Sequence, residues 1–150
     1  MRLWHKDLLI NHVLPKQQLS GQWRECILIL KSLAEKGTPN HILVNRVAEY
    51  EMKEFIQYCS LVSQELKRTG RQITAATKSK IKMFCDKFNI SVNDVVPNEE
   101  LYKDWHNDIY LRECLYNLEE KFICGGISVQ EWQGIYELYH DRFDLVKTRG

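Results

Sequence analysis

The 150-residue sequence predicts an all-α protein, a single compact helical domain over residues 1–150 with about four to five helices and the N-terminal segment packed among them. Several long segments repeat apolar residues with a helical period, and no segment combines apolar alternation with a hairpin turn. Apolar residues make up 44% of the chain, which is enough for the core of one domain. The seven glycines and three prolines are too few for a disordered or collagen-like chain.

The first long helix is delimited by proline and glycine. Pro15 stands at a favourable helix start, and Gly37 is a natural stop, so a helix is predicted from Lys16 to Lys36. Its second half, residues 26–30, is apolar all round, and we expect it to be buried on every side. The apolar stripe along this helix consists of Leu19, Trp23, Ile27, Leu30 and Ala34.

Further helices are predicted along the rest of the chain. A second should run over about residues 47–68, and a third, basic helix over residues 74–88. Asn98 is predicted to cap a fourth helix that continues to residue 122 and is broken by the glycine pair at 125–126. Ser128 is expected to cap a fifth helix, with a glutamate at the capping-box position three residues later.

The overall charge excludes one class of nucleic-acid-binding protein. Twenty-one basic and twenty acidic residues give a formal charge of +1, which is not that of a uniformly basic protein that coats nucleic acid. The distribution is uneven, however. Residues 65–88 hold seven basic and two acidic residues, and residues 94–120 hold eight acidic and two basic. Either the first run faces phosphates, or both runs are ordinary solvated helix faces.

Other composition features favour a cytoplasmic protein. No apolar run approaches the roughly 18 residues needed to span a bilayer, and the first residues contain no signal-peptide core. We therefore expect no membrane association. The cysteines form no Cys-x-x-Cys pair and have no histidine at metal-ligand spacing, so we expect no metal site and small thiols in a reducing compartment. They are Cys26, Cys59, Cys85, Cys114 and Cys124.

Two short segments near the N-terminus carry the strongest functional signal. Residues 1–5 read Met-Arg-Leu-Trp-His, and residues 14–26 read Leu-Pro-Lys-Gln-Gln-Leu-Ser-Gly-Gln-Trp-Arg-Glu-Cys. Together they resemble the phage-type pyrimidine-dimer DNA glycosylase/abasic-site lyase family, especially the branch that opens with Met-Arg-Leu-Trp-His. The resemblance returns at residues 66–70 and 106–121, and residues 72–97 look like an insertion relative to the phage prototype.

This resemblance implies a DNA repair glycosylase with coupled abasic-site lyase activity, acting at a pyrimidine dimer through an N-terminal amine Schiff base. Carried over residue by residue, the nucleophile is the α-amine of Met1, and the acid/base carboxylate is that of Glu25. Initiator methionine is normally retained before a residue as large as Arg2, so we expect an unprocessed N-terminus. The resemblance requires no cofactor. The implied partner is double-stranded DNA with a damaged or modified base, bound by a monomer inside the cell.

The resemblance also implies a set of DNA-contacting residues. Arg2 and Arg24 would hold phosphates that flank the damaged site. Gln18 replaces a histidine of the prototype, and Leu28 and Asn117 stand where it has arginines. The predicted DNA-binding set is Arg2, Gln17, Gln18, Arg24 and Lys121, with Trp4, His5 and His106 as candidate site-edge residues.

Two alternatives stay open from the sequence. The first is a non-catalytic helical module that binds DNA or a protein partner through the polar face of the first long helix. The second is a glycosylase for a different modified base. His106 fits a structural histidine as well as a site group.

Overall fold

A computed structural model of the chain describes residues 2–35, 41–91 and 93–150. Over these residues the chain is helical and contains no strand, so the predicted all-α class is confirmed. The predicted number of four to five helices is too low, because the described residues form seven. These are α1 (Lys6–Ile10), α2 (Lys16–Glu35), α3 (Ile42–Ala48), α4 (Met52–Arg68), α5 (Ala75–Lys87), α6 (Asp108–Ile123) and α7 (Val129–Tyr139).

The additional helices are short and come from local backbone turns. The N-terminal segment includes the five-residue α1, capped by the His5 side chain, which accepts the Asp7 N–H. The helix predicted over residues 47–68 is divided, because Glu51 has an extended backbone (ψ 140°) and α4 begins only after it. Residues 47 and 48 belong to the separate helix α3.

The predicted fourth helix begins later than expected. Asn98 caps no helix, and residues 97–106 form a series of turns. Within them Tyr102 takes a left-handed backbone conformation (φ 49°), which a continuous α-helix does not contain. The fully buried ring of Tyr102 packs against Trp105, and its N–H donates to Glu54 Oε1, so tertiary contacts hold this turn. Helix α6 then begins after Asn107, whose side chain accepts the Tyr110 N–H.

Other predicted boundaries agree closely with the structure. Helix α2 begins directly after Pro15, and Thr74 caps α5 by accepting the Thr77 N–H. Ser128 and Glu131 form the predicted capping box at the start of α7. Helix α6 ends just before the glycine pair at 125–126, as predicted. Gly125 adopts a positive φ of 86°, which a glycine takes without steric penalty.

Helix α2 is the central element, and its buried face differs from the predicted stripe. Trp23, Ile27 and Ala34 are only half-buried. Leu28 is 56% exposed, so the expectation that residues 26–30 are buried on every side is wrong. The reason is that α3, α4 and α5 contact α2 but leave one face of it open. The residues buried on α2 are Leu19, Gln22, Cys26, Ile29, Leu30 and Leu33.

A contiguous cluster of buried side chains draws on all seven helices and on the N-terminal segment. Lys6 is an unusual member, because it is charged and only 5% exposed. Its ammonium group donates to the backbone carbonyls of Asn98 and Leu101, which connects α1 to the turns before α6. Burial lowers the pKa of Lys6. In the described part of the chain no helix is long and apolar enough to cross a bilayer.

Helix α5 is attached to the rest of the molecule by few buried side chains. Phe84 is the one residue of α5 that is buried, and its ring lies 6.3 Å from the Phe55 ring and 4.6 Å from the Phe88 ring, centroid to centroid. Met83, the neighbouring residue, is 69% exposed. The stability of α5 in the fold therefore depends mainly on Phe84.

We expect Phe84→Ala to lower the free energy of unfolding by about 3–5 kcal/mol, because it removes a buried aromatic ring and leaves a cavity. Met83→Ala is the matched control and should change it by less than about 0.5 kcal/mol. Urea unfolding followed by circular dichroism measures both. Equal effects of the two substitutions would contradict this account of how α5 is held.

Candidate active site

The N-terminal segment, residues 2–5, lies against α2 through the side chain of Gln22. This amide is only 2% exposed. Its Oε1 accepts the Trp4 N–H at 2.6 Å, and its Nε2 donates to the Arg2 carbonyl at 3.2 Å. One side chain therefore satisfies two backbone groups of a segment that belongs to no helix, and buried backbone groups require such partners.

Two tyrosines from other helices complete this arrangement. The Tyr58 hydroxyl of α4 lies 2.6 Å from the Trp4 carbonyl and 2.9 Å from Gln22 Oε1, and its single hydrogen is shared between these acceptors. The Tyr110 hydroxyl of α6 donates to the Leu3 carbonyl at 2.6 Å. Burial raises the pKa of both tyrosines, which keeps the two hydroxyls protonated as donors. The position of residues 2–4 is thus determined by α2, α4 and α6 together.

An open cleft of about 520 Å³ lies beside this segment. The N-terminal segment, α2 and α6 form its walls. The polar face of α2 supplies most of the lining, and α6 contributes two side chains one turn apart. The described residues that line the cleft are Arg2, Trp4, Gln18, Gly21, Gln22, Arg24, Glu25, Leu28, Asn117 and Lys121.

The charge of the cleft is mainly positive. Arg2, Arg24 and Lys121 are basic, and Glu25 is the one carboxylate among the described lining residues. The Arg2 guanidinium lies over the Trp4 ring, 5.4 Å from its centroid, which is within cation–π range. None of these four charged groups forms an ion pair with another described residue. The cleft therefore contains three cations and one carboxylate that form no ion pair with a described residue.

Most of the residues predicted from the sequence meet in this cleft. Arg2, Gln18, Arg24 and Lys121 line it together with Glu25. They come from three parts of the chain. On α2, Gly21 and the polar residues Gln18, Gln22 and Glu25 all line the cleft. A Cβ at Gly21 would meet only the Arg24 guanidinium, at 3.8 Å, so this part of the cleft floor is open to a ligand.

Other predicted residues lie elsewhere. Gln17 is exposed and does not line the cleft, whereas Trp4 does. The predicted nucleophile, Met1, lies outside the described residues. Gln18 Oε1 is buried in the cleft wall without a hydrogen-bond partner among the described residues.

The histidines His5 and His106 lie in the interior and not along the cleft. Their rings are 5.1 Å apart, centroid to centroid, and both residues are buried. His106 Nδ1 accepts the Lys6 N–H at 2.9 Å. Burial lowers the pKa of His106 to about 2, so this ring is neutral at physiological pH. The geometry of His106 fits the structural role that the sequence left open.

The residues that position the N-terminal segment are not among the predicted site residues. They are Gln22, Tyr58 and Tyr110. One signal does mark Gln22, because it lies three residues after Leu19 and four before Cys26, on the buried side of α2. Nothing in the sequence alone brings Tyr58 or Tyr110 to residues 2–4, because those contacts join distant parts of the chain.

A second groove, of about 880 Å³, adjoins the cleft at Arg2. It contains Trp105 and Tyr110 but, apart from Arg2, none of the predicted site residues. Among the described residues no group of three histidine, cysteine, aspartate or glutamate side chains is arranged to hold a metal ion. The cleft is therefore the place where the predicted site residues come together.

Comparison with known families gives a match over the N-terminal part of the chain. A family model described as pyrimidine dimer DNA glycosylase matches residues 1–79, which is just over half of the 150 residues. The chain belongs to the pyrimidine dimer DNA glycosylase family. The glycosylase match includes the whole N-terminal segment and all of α2, and it ends within α5. No curated protein and no solved structure matches the chain.

The hydrogen bonds of Gln22 yield a stability prediction for this glycosylase. Gln22→Met keeps the length of the side chain but leaves the buried Trp4 N–H without an acceptor, so we expect the free energy of unfolding to fall by about 2 kcal/mol. Gln18→Met, in the same cleft, should change it by less than about 0.5 kcal/mol, because the Gln18 side chain has no hydrogen-bond partner among the described residues. Urea unfolding measures the free energy of unfolding of both variants. A Gln22→Met protein as stable as the wild type would contradict the assigned role.

Proposed function

We propose that this protein is a DNA repair glycosylase with coupled abasic-site lyase activity, acting at pyrimidine dimers in double-stranded DNA. The observation that carries the proposal is that Glu25 and Arg2 line the same cleft. Met1 is bonded directly to Arg2, so the α-amine of Met1 is one residue before the backbone nitrogen of Arg2. The cleft thus contains the proposed carboxylate and the residue adjacent to the proposed nucleophile.

The first step forms a covalent bond between the protein and the sugar. An α-amine has an ordinary pKa near ~7.7–8.0, so a useful fraction is neutral and nucleophilic at neutral pH. The neutral amine of Met1 attacks the anomeric carbon of the damaged nucleotide. The bond from that carbon to the base breaks, and its electron pair leaves with the base, which takes up a proton. Ring opening of the sugar then gives the iminium form of a Schiff base.

The second step cuts the DNA strand. The iminium acidifies the adjacent C2′ carbon, and the Glu25 carboxylate takes a proton from it. The resulting electron pair forms a C2′–C3′ double bond, and the C3′–oxygen bond breaks with the 3′ phosphate as leaving group. Water then hydrolyses the Schiff base and restores the free amine. Glu25 suits this proton transfer because its carboxylate forms no ion pair with a described cation.

The cations of the cleft support DNA as the substrate. Arg2, Arg24 and Lys121 line the cleft together with the one carboxylate, and positive side chains are the groups that contact phosphates on either side of a nucleotide. The cleft is formed within a single chain, which supports action as a monomer in the compartment that holds the DNA. The family to which the chain belongs supports the pyrimidine dimer as the lesion.

Substitution of the carboxylate tests the catalytic role. We expect Glu25→Gln to lower the single-turnover rate of nicking at an abasic site by about 10²- to 10⁴-fold, because the amide cannot accept the C2′ proton. The dissociation constant for the same duplex should change little. Glu35→Gln, an exposed glutamate at the end of α2, is the matched control and should retain the wild-type rate. A Glu25→Gln protein with full activity would leave the non-catalytic binding module as the better interpretation.

Borohydride trapping tests the nucleophile and the lesion together. We expect sodium borohydride to reduce the Schiff base and to link the protein to two duplexes, one with a site-specific thymine dimer and one with an abasic site. Mass spectrometry should locate the adduct on the N-terminal peptide of protein that begins at a free Met1. Trapping at the abasic site alone would indicate a different modified base. No adduct on either duplex would contradict the amine mechanism.

A further inference from the structure

Helix α5 carries an unusual set of lysines. Lys78, Lys80 and Lys82 are all exposed and lie within five consecutive residues. They form no ion pair with any carboxylate in the described parts of the chain. Lys78 and Lys82 are four residues apart on one helix, a spacing at which like charges destabilise the helix. In the isolated protein these charges repel one another, and an anionic partner would relieve that repulsion.

The contact between α5 and α2 places these lysines relative to the cleft. Arg71, just before α5, donates to the Ser20 hydroxyl near the start of α2. Lys87, at the end of α5, donates to the Ala34 carbonyl near the end of α2. These bonds at both ends, with the packing between the two helices, hold α5 alongside α2.

The cleft and α5 lie on opposite sides of the exposed ridge of α2. Successive residues of an α-helix are turned by about 100°, so Ser20 is about 140° around α2 from Glu25. Arg24 and Lys31 are exposed on the ridge between these two directions. With side chains an α-helix is about 10–12 Å across, and the major groove of B-DNA is about 12 Å wide. One groove of a duplex is therefore about as wide as α2, so cations on both sides of this helix can meet the same DNA.

We propose that Lys78 and Lys82, which lie on one face of α5, form a second phosphate-binding surface, which contacts the same DNA duplex across the ridge of α2 from the cleft. This proposal rests on the proposed function, since the cleft is taken as the place where the damaged nucleotide is held. Lys80 lies about 160–200° around α5 from the other two lysines and is not part of this surface. The family match ends at residue 79, so Lys82 lies outside it. Asp86, one turn after Lys82, borders the surface. The duplex would lie along the part of α5 that precedes Asp86.

The salt dependence of binding tests this surface. Each phosphate neutralised by a lysine or arginine contributes about −0.9 to the slope of log K against log salt concentration. Replacing Lys78 and Lys82 by glutamine should therefore make the slope for an undamaged duplex less steep by about 1.8. Between about 50 and about 200 mM salt, this difference amounts to an approximately 12-fold smaller loss of affinity. Fluorescence anisotropy of a labelled duplex measures it.

A matched variant controls for net charge. Glutamine at Lys103 and Lys147 removes the same number of charges from exposed positions that are on neither α2 nor α5. This control should retain the wild-type slope. The α5 variant should also retain the wild-type single-turnover nicking rate at saturating protein, because neither lysine lines the cleft. Circular dichroism confirms that both variants are folded.

The possible outcomes separate this proposal from the proposed function. Equal slopes for the α5 variant and the control variant would overturn the second surface, even if the wild type nicks abasic DNA. A changed slope in a protein that nicks no abasic duplex would support the surface and overturn the catalytic proposal. If the α5 substitutions weaken binding only to vesicles of phosphatidylserine and phosphatidylcholine, the surface recognises lipid headgroups, and the DNA proposal is wrong.

Discussion

The hydrogen bonds between Gln22 and the N-terminal segment are the interaction on which the proposed site depends. Residues 2–4 belong to no helix, so their backbone groups need acceptors and donors from elsewhere. Gln22 supplies one acceptor and one donor. The Tyr58 and Tyr110 hydroxyls donate to the carbonyls of Trp4 and Leu3. Because this network is buried and all its members are paired, it rigidifies the segment. The chain thereby holds Arg2 in the wall that also contains Glu25.

This arrangement suits a reaction in which a backbone amine is the nucleophile. A nucleophile is effective only when it is kept close to the atom it attacks. The hydrogen bonds of residues 2–4 fix the residue to which Met1 is bonded. The free carboxylate of Glu25 meets the second requirement, since a carboxylate engaged by an arginine would be a weaker base. The proposed mechanism thus assigns positioning to Gln22 and proton transfer to Glu25, two side chains three residues apart on α2, one buried and one open to the cleft.

The sequence predicts the parts of this molecule that depend on local chemistry. Pro15, Thr74 and the capping box at Ser128 mark helix starts that the structure confirms, because caps and turns involve only a few adjacent residues. The break at Tyr102 and the exposure of Leu28 could not be predicted in this way, since each depends on which distant elements pack nearby. The same holds for the site. The helical period places Gln18 and Glu25 on one face, but only the fold brings Lys121 and Arg2 to them.

The near-zero net charge of the chain is compatible with DNA binding because the charges are segregated. Affinity for DNA depends on the cations that meet phosphates, whereas carboxylates elsewhere act only over the screening length of about 10 Å at moderate salt. No carboxylate from the acidic run over residues 94–120 lines the cleft. The cleft cations and the α5 lysines lie on either side of one helix, and the acidic residues lie mainly on α6 and the turns before it. A duplex laid across α2 would therefore meet positive charge on both flanks, and the acidic surface would disfavour other orientations of the protein on DNA.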